Sequence, residues 1–191
     1  MSIFFKREKK SKWRPQCLVC SHSSGDVLVG MWKVGTDRGK IMRLNSIGKI
    51  KDTIKKDKNN DNLYKNPMFI TENYNGDIVV SDLNRCLVVT DRGGEHRFSY
   101  TGHPTGSGLT PCGICTDIFS NILVCDKRTN TVQMIDKDGA FMYSLLTESD
   151  GIFEPWGLCY DIISHLLWVG SDSNNVVKIF RYINRQDILT G

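Results

Sequence analysis

Residues 111–139 read PCGICTDIFSNILVCDKRTNTVQMIDKDG, and this pattern decides the fold. A proline opens the stretch. Short apolar runs follow at 114–117, 122–125 and 132–135, parted by polar turns, and 140–146 adds a fourth. Residues 67–94 (PMFITENYNGDIVVSDLNRCLVVTDRGG) and 155–180 (PWGLCYDIISHLLWVGSDSNNVVKIF) repeat the order. Pro67, Pro111 and Pro155 are each 44 residues apart. Runs of this length suit strands and are too short for ordinary helices. A fixed period in the forties with several strands per repeat is the signature of a β-propeller blade. The expected fold is all-β: a propeller, or part of one, with about four blades over 15–66, 67–110, 111–154 and 155–191, behind a basic tail over 1–14.

Blade two shows the grammar. Strands are expected at 69–72, 77–81, 86–90 and 96–100. Asn75-Gly76 predicts a type I′ hairpin turn, whose central residues both need positive φ. A divergent first copy begins near Pro15, with strands at 17–21, 27–31 and 41–44. Its stretch 51–66, rich in Lys, Asn and Asp, reads as a solvated loop. After residue 181 the last copy leaves a fourth strand doubtful.

The third repeat resembles an NHL repeat: Pro-x-Gly-[Ile/Val]-x-x-Asp, a strand ending in Asp, an Asn-rich turn, then Val-x-x-[Ile/Phe]-Asp-x-x-Gly. The resemblance spans roughly 15–185 and is weakest in blade one. It implies a propeller, usually of six blades, and kinship with the C-terminal part of tripartite-motif ubiquitin ligases. Gly113 and Gly157 match the family's inner-strand glycine, where blades crowd the axis. The chain departs from the family in its blade count and in lacking the upstream modules. A RING finger needs eight ordered Cys/His ligands, and no such series is present. Any ligase activity is therefore expected from another chain.

Composition sets further bounds. A chain of 191 residues with 40% hydrophobic and 24% charged side chains suits one domain with a core. No apolar run approaches the roughly 18 residues of a membrane span, and residues 3–5 are too short for a signal peptide. The expectation is a cytoplasmic protein without membrane insertion. The net charge of +4 is uneven. Residues 1–14 carry +5, 15–48 carry +2, 49–66 carry +3 and 67–191 carry −6.

Two CxxC pairs, Cys17/Cys20 and Cys112/Cys115, invite a four-thiolate zinc reading. Both fall on first strands rather than on tight turns, and i, i+3 residues of a strand point to opposite faces. Core packing is the preferred reading, with no metal and no cofactor expected. Asp82 and Asp126 end the second strands and invite a general-base role. Their recurrence at one blade position favours a structural one, accepting turn N–H groups. His22, His96, His103 and His165 sit at unrelated repeat positions and suggest no catalytic cluster. Gly102, Gly106 and Gly108 lie in an inter-blade loop that lacks the helix and Lys of a phosphate loop.

The function expected is a non-catalytic recognition scaffold for protein or RNA, such as the substrate-recognition part of a ubiquitin-ligase system. Turns between second and third strands should gather Lys33, Arg38, Arg85, Lys127 and Arg128 on one face, where basic groups hold phosphates or acidic peptide. The rival is a propeller enzyme, lactonase-like or lyase-like, for which no converging ligand set is evident. A four-blade arc would leave sticky edges and self-associate, and pairing of residues 3–5 with the last blade is one route to closure.

Overall fold

The computed structural model describes residues 12–83 and 85–183. Blade 1 holds β1 (Trp13–Cys20), β2 (Val27–Lys33), β3 (Gly39–Leu44) and β4 (Ile50–Ile54). Blade 2 holds β5 (Pro67–Glu72), β6 (Ile78–Asp82), β7 (Cys86–Thr90) and β8 (His96–Tyr100). Blade 3 holds β9 (Pro111–Thr116), β10 (Ile122–Asp126), β11 (Thr131–Ile135) and β12 (Phe141–Leu146). Blade 4 holds β13 (Pro155–Asp161), β14 (Leu166–Ser171) and β15 (Val177–Arg181). Each blade is an antiparallel meander in which sequence neighbours pair.

First strands stack on one another: β1 on β5, β5 on β9 and β9 on β13. Among the described residues, no packing of similar extent brings β13 back to β1. The molecule is a four-blade arc. Middle strands are covered on both sides by neighbouring blades, so β6, β7 and β10 are buried at every position. That is why they read as unbroken apolar runs rather than alternating ones. Outer strands such as β8 and β12 are mostly exposed and accordingly polar in part.

Three seams carry the stability. Leu28, Ile41 and Ile54 of blade 1 meet Ile70, Ile78, Val80 and Val88 of blade 2. Val79, Leu87 and Val89 meet Ile114, Ile122, Val124 and Ile135 of blade 3. Leu123 and Met134 meet Leu167, Val169 and Phe180 of blade 4. Each such side chain contributes about 1.5–3 kcal/mol on full burial, so stability is mainly nearest-neighbour.

All four first strands carry a β-bulge beside their proline. Pro15 pairs with Met31 but Cys17 with Gly30; Pro67 pairs with Asp82 but Phe69 with Ser81. Pro111 and Ile114 pair with Asp126 and Val124, and Pro155 and Gly157 with Ser171 and Gly170. One residue is therefore extra in each ladder.

Several sequence expectations need correction. Residues 50–54 form an edge strand rather than loop, and Leu63 and Tyr64 farther along are buried. Exposure of β4 explains its polar composition, while Ile54 alone turns inward. β1 begins at Trp13, inside the stretch read as tail. Only Gly76 of the Asn75-Gly76 pair has positive φ, so the turn is not type I′. It is a longer loop closed by a left-handed glycine, with Gly76 N–H donating to Asn73 O at 2.8 Å. The alternation argument for Cys112 and Cys115 also fails, because the bulge breaks the period and both thiols enter the same seam. Burial pushes Cys112 up to about 11 and Cys115 well above the usual thiol range. Among the described residues blade 4 has three strands, and closure by residues 3–5 falls outside them. No described helix is long and apolar enough to cross a membrane.

Candidate binding faces

The arc has two ends. One is built by turns from second to third strands and by the connections between blades. Asp82 and Asp126 sit here, fully buried, at the close of β6 and β10. Asp82 accepts the backbone N–H of Lys65 at 2.9 Å and of Asn66, both in the connection arriving from blade 1. Asp126 accepts Thr110 N–H at 3.0 Å and Thr129 Oγ1–H at 2.7 Å. Each carboxylate latches the chain that enters its blade, which is the structural role expected of it.

The five basic residues expected on this end have separate fates. Arg85 Nη1 lies 3.0 Å from Asp82 Oδ2 and donates to Leu63 O at 2.7 Å. Lys127 Nζ lies 2.6 Å from Asp172 and 3.7 Å from Glu154, and 5.3 Å from the centre of the Trp156 ring. The Asp172 hydrogen bond raises the Lys127 pKa. Arg128 donates to Gly108 O at 2.8 Å. Lys127 and Arg128 share a cavity of about 520 Å³ with Leu83, Thr110, Glu154 and Trp156. Among the described residues, Lys33 and Arg38 have no ion-pair partner; Lys33 closes β2 and Arg38 is exposed. The cationic surface is thus smaller than the sequence suggests.

The opposite end is built by turns from first to second strands. Cys20, Glu72, Thr116 and Tyr160 come together there, near the ends of β1, β5, β9 and β13. With His22, Tyr74, Cys115 and Cys159 they line a cavity of about 270 Å³ at the axis. Glu72 is buried, yet its carboxylate is well provided for. Ser23 Oγ donates to it at 2.8 Å, and His22 Nδ1 lies 3.1 Å from its other oxygen. Burial opposes the charge, but the Ser23 and Ser21 hydroxyls, Ser23 N–H and His22 together hold its pKa below the usual 4.5. His22 also leans on Tyr74, with ring centres 5.0 Å apart. Deeper in, Tyr182 Oη donates to Asp117 Oδ2 at 3.3 Å, and Tyr160 Oη lies 2.7 Å from His165 Nδ1. Burial foremost, then the Asp117 charge, pushes Tyr160 up to about 12.

The turns around this mouth push apolar side chains outward. Asp117 Oδ1 accepts the N–H of Phe119 and of Asn121, and Asp161 Oδ1 that of Ile163, each at 2.9–3.0 Å. These caps leave Phe119, Ile162 and Ile163 exposed at turns equivalent to the one bearing exposed Tyr74, with Ile163 at 86%. The sequence reading missed both this rim and the His22–Glu72 contact. Blade one is divergent, so His22 had no repeat partner to mark it. The available signal was the acidic residue at the end of an inner strand.

Glu72 gives a pH test. Its folded-state pKa is depressed, so its contribution is complete above about 4.5 and fades as pH falls through the folded value. Glu72→Gln should lower stability at pH 7. The gap to wild type should close below pH 4.5, as read by urea titration across pH. A gap constant from pH 7 to 3 would refute the assignment.

No family model matches the chain, and no curated protein matches it. Solved structures do. A catalytically inactive variant of virginiamycin B lyase from Staphylococcus aureus, with quinupristin, is 15% identical with TM-score 0.64; the match covers 93% of this chain and 58% of that one. A gluconolactonase from Xanthomonas campestris is 12% identical, TM-score 0.66, covering 91% and 60%. The Dos1 propeller is 11% identical, TM-score 0.66, covering 89% and 44%. At these identities the likeness shows the fold: this is a β-propeller-type chain of four blades. It spans 60% or less of the length of each of these three proteins. The finer NHL and tripartite-motif assignment rests on the sequence resemblance alone. The expectation that the chain is not an enzyme is corrected. The propellers it resembles include a lyase and a gluconolactonase, so the architecture does not argue against catalysis.

Proposed function

We propose that the chain is a recognition module for a protein partner, which docks on the end bearing Tyr74, Phe119, Ile162 and Ile163. The observation that carries this reading is the recurrence of exposed apolar side chains at successive equivalent turns. Large apolar side chains exposed at one end of the molecule favour association with protein. The net −6 of residues 67–191 favours a partner with basic flanks. In its narrower form, implied by the NHL resemblance, the partner is a ubiquitin-ligase substrate. An RNA partner has less support, since Arg85 and Lys127 are already paired with carboxylates.

A specific observation favours a second, catalytic reading. The buried Glu72 braces His22 through Nδ1 beside the axial cavity, and among the described residues Nε2 has no hydrogen-bond partner. Such a braced imidazole can act as a general base.

A photo-reactive residue at 119 or 163, compared with one at 128, tests the first reading in cells. A discrete protein adduct from 119 and 163, absent at 128, is expected. Adducts from 128 alone would reject it. His22→Gln separates the two readings, since it should leave the adduct intact while abolishing any turnover that depends on the imidazole.

A further inference from the structure

We infer that the outward face of blade 4 joins a second copy of this chain, face to face about a twofold axis. Register identifies the face. Cys159 pairs with Trp168 and Trp168 with Ile179; Gly157 pairs with Gly170 and Gly170 with Val177. Paired residues share a side of the sheet. The other side, with Leu158, Leu167, Val169 and Phe180, is the one packed on blade 3.

In blade 3 the equivalent row is Cys115, Leu123 and Met134, and in blade 2 it is Thr71, Val79 and Val89. Those rows lie inside seams, with Leu123, Val79 and Val89 at 0% exposure. In blade 4 Trp168 is 39% exposed, Ile179 51% and Val177 64%. The row is built like a seam and has no cover among the described residues.

Gly113 and Gly157 make the same point by sterics. A Cβ on Gly113 would lie 2.6 Å from Leu158 N, because β13 runs directly against β9. Gly157 occupies the equivalent place on β13, and a Cβ there would meet nothing within 4 Å. A flat, apolar strand face is thus presented with room for close backbone approach.

The occupant follows from the other end of the arc. Blade 1 also has an outward face, but its Val29, Met42 and Leu44 are already buried, at 3%, 8% and 2%. Leu18 and Ile50 on that face stay exposed, at 67% and 53%, but its central row is filled, so head-to-tail stacking of blade 4 on the next copy's blade 1 meets no open middle-strand row. The open face is blade 4's own, and a surface that pairs with itself gives a closed twofold dimer. Its rim carries Asp161 and Arg181 on one row, so two copies meet without net repulsion.

Sedimentation of the 191-residue chain at micromolar concentration should show a dimer. Trp168→Glu with Ile179→Lys should weaken self-association by more than about 30-fold, the effect of losing one hot-spot side chain. Leu18→Glu with Ile50→Lys, on the outward side of blade 1, should leave the dimer intact. Val177→Glu is the second variant, chosen because its side chain is the most exposed of the row. Unchanged far-UV circular dichroism certifies each fold. A monomeric wild type overturns the inference. So does a dimer that survives the blade 4 variants, or one that dissolves with the blade 1 variant.

Discussion

Gly113→Val should break the seam between blades 3 and 4. The added Cβ would lie 2.6 Å from Leu158 N, 2.7 Å from Trp156 O and 2.9 Å from Gly157 C. All three are backbone atoms, so no rotamer change relieves the contact. Overpacking ordinarily costs about 1–3 kcal/mol and occasionally more. A clash with the backbone of a strand stacked in the next blade belongs at the upper end, about 3 kcal/mol. Gly157→Ala, at the equivalent place with open space, should cost less than about 1 kcal/mol. Urea unfolding of the two variants side by side decides the matter. Equal effects would mean that β9 and β13 do not approach as described.

Asp126→Ala should destabilise the fold by about 3 kcal/mol, because an unsatisfied buried donor costs roughly 1–3 kcal/mol and more than one is released here. Thr110 N–H and Arg128 N–H both lose an acceptor, at 3.0 and 3.2 Å, along with the Thr129 hydroxyl. Asp126→Asn keeps one carbonyl oxygen and should recover part of the loss. Hydrogen exchange at Thr110 and Arg128 should quicken in Asp126→Ala before global unfolding. Unaltered protection there would show that the carboxylate is not the latch.

The 44-residue spacing made the architecture legible because blades 2 and 3 bury their middle strands on both sides, and double burial writes a continuous apolar run. The structural role of Asp82 and Asp126 was legible for a related reason. A carboxylate that latches the incoming connection recurs at the blade period in blades 2 and 3, as a catalytic pair need not. β4 was not legible, since an edge strand buries little beyond Ile54, and its Lys51 and Asp52, flanked by Lys49 and Lys55, look like loop. The candidate binding end was not legible either. His22 and Glu72 belong to different blades, and only stacking brings them within 3.1 Å. The basic residues misled in the opposite direction. Sequence shows that Lys127 is cationic but not that Asp172, across a hairpin of the next blade, already neutralises it.

The bulge beside each proline frees one position per blade from the pairing code. Gln16, Met68, Cys112 and Trp156 fall within these irregular steps, and they could hardly differ more as side chains. Residues fixed in a ladder must suit two neighbours at once, whereas one outside it answers only to the groove it enters. Trp156 of blade 4 reaches Phe69 of blade 2 edge-on at 5.9 Å, while Cys112 sinks out of sight between blades. Duplicated blades can thus drift apart in character at this one place while their strands keep step. The bulge is the place where each copy sets its own contact with the neighbouring blade.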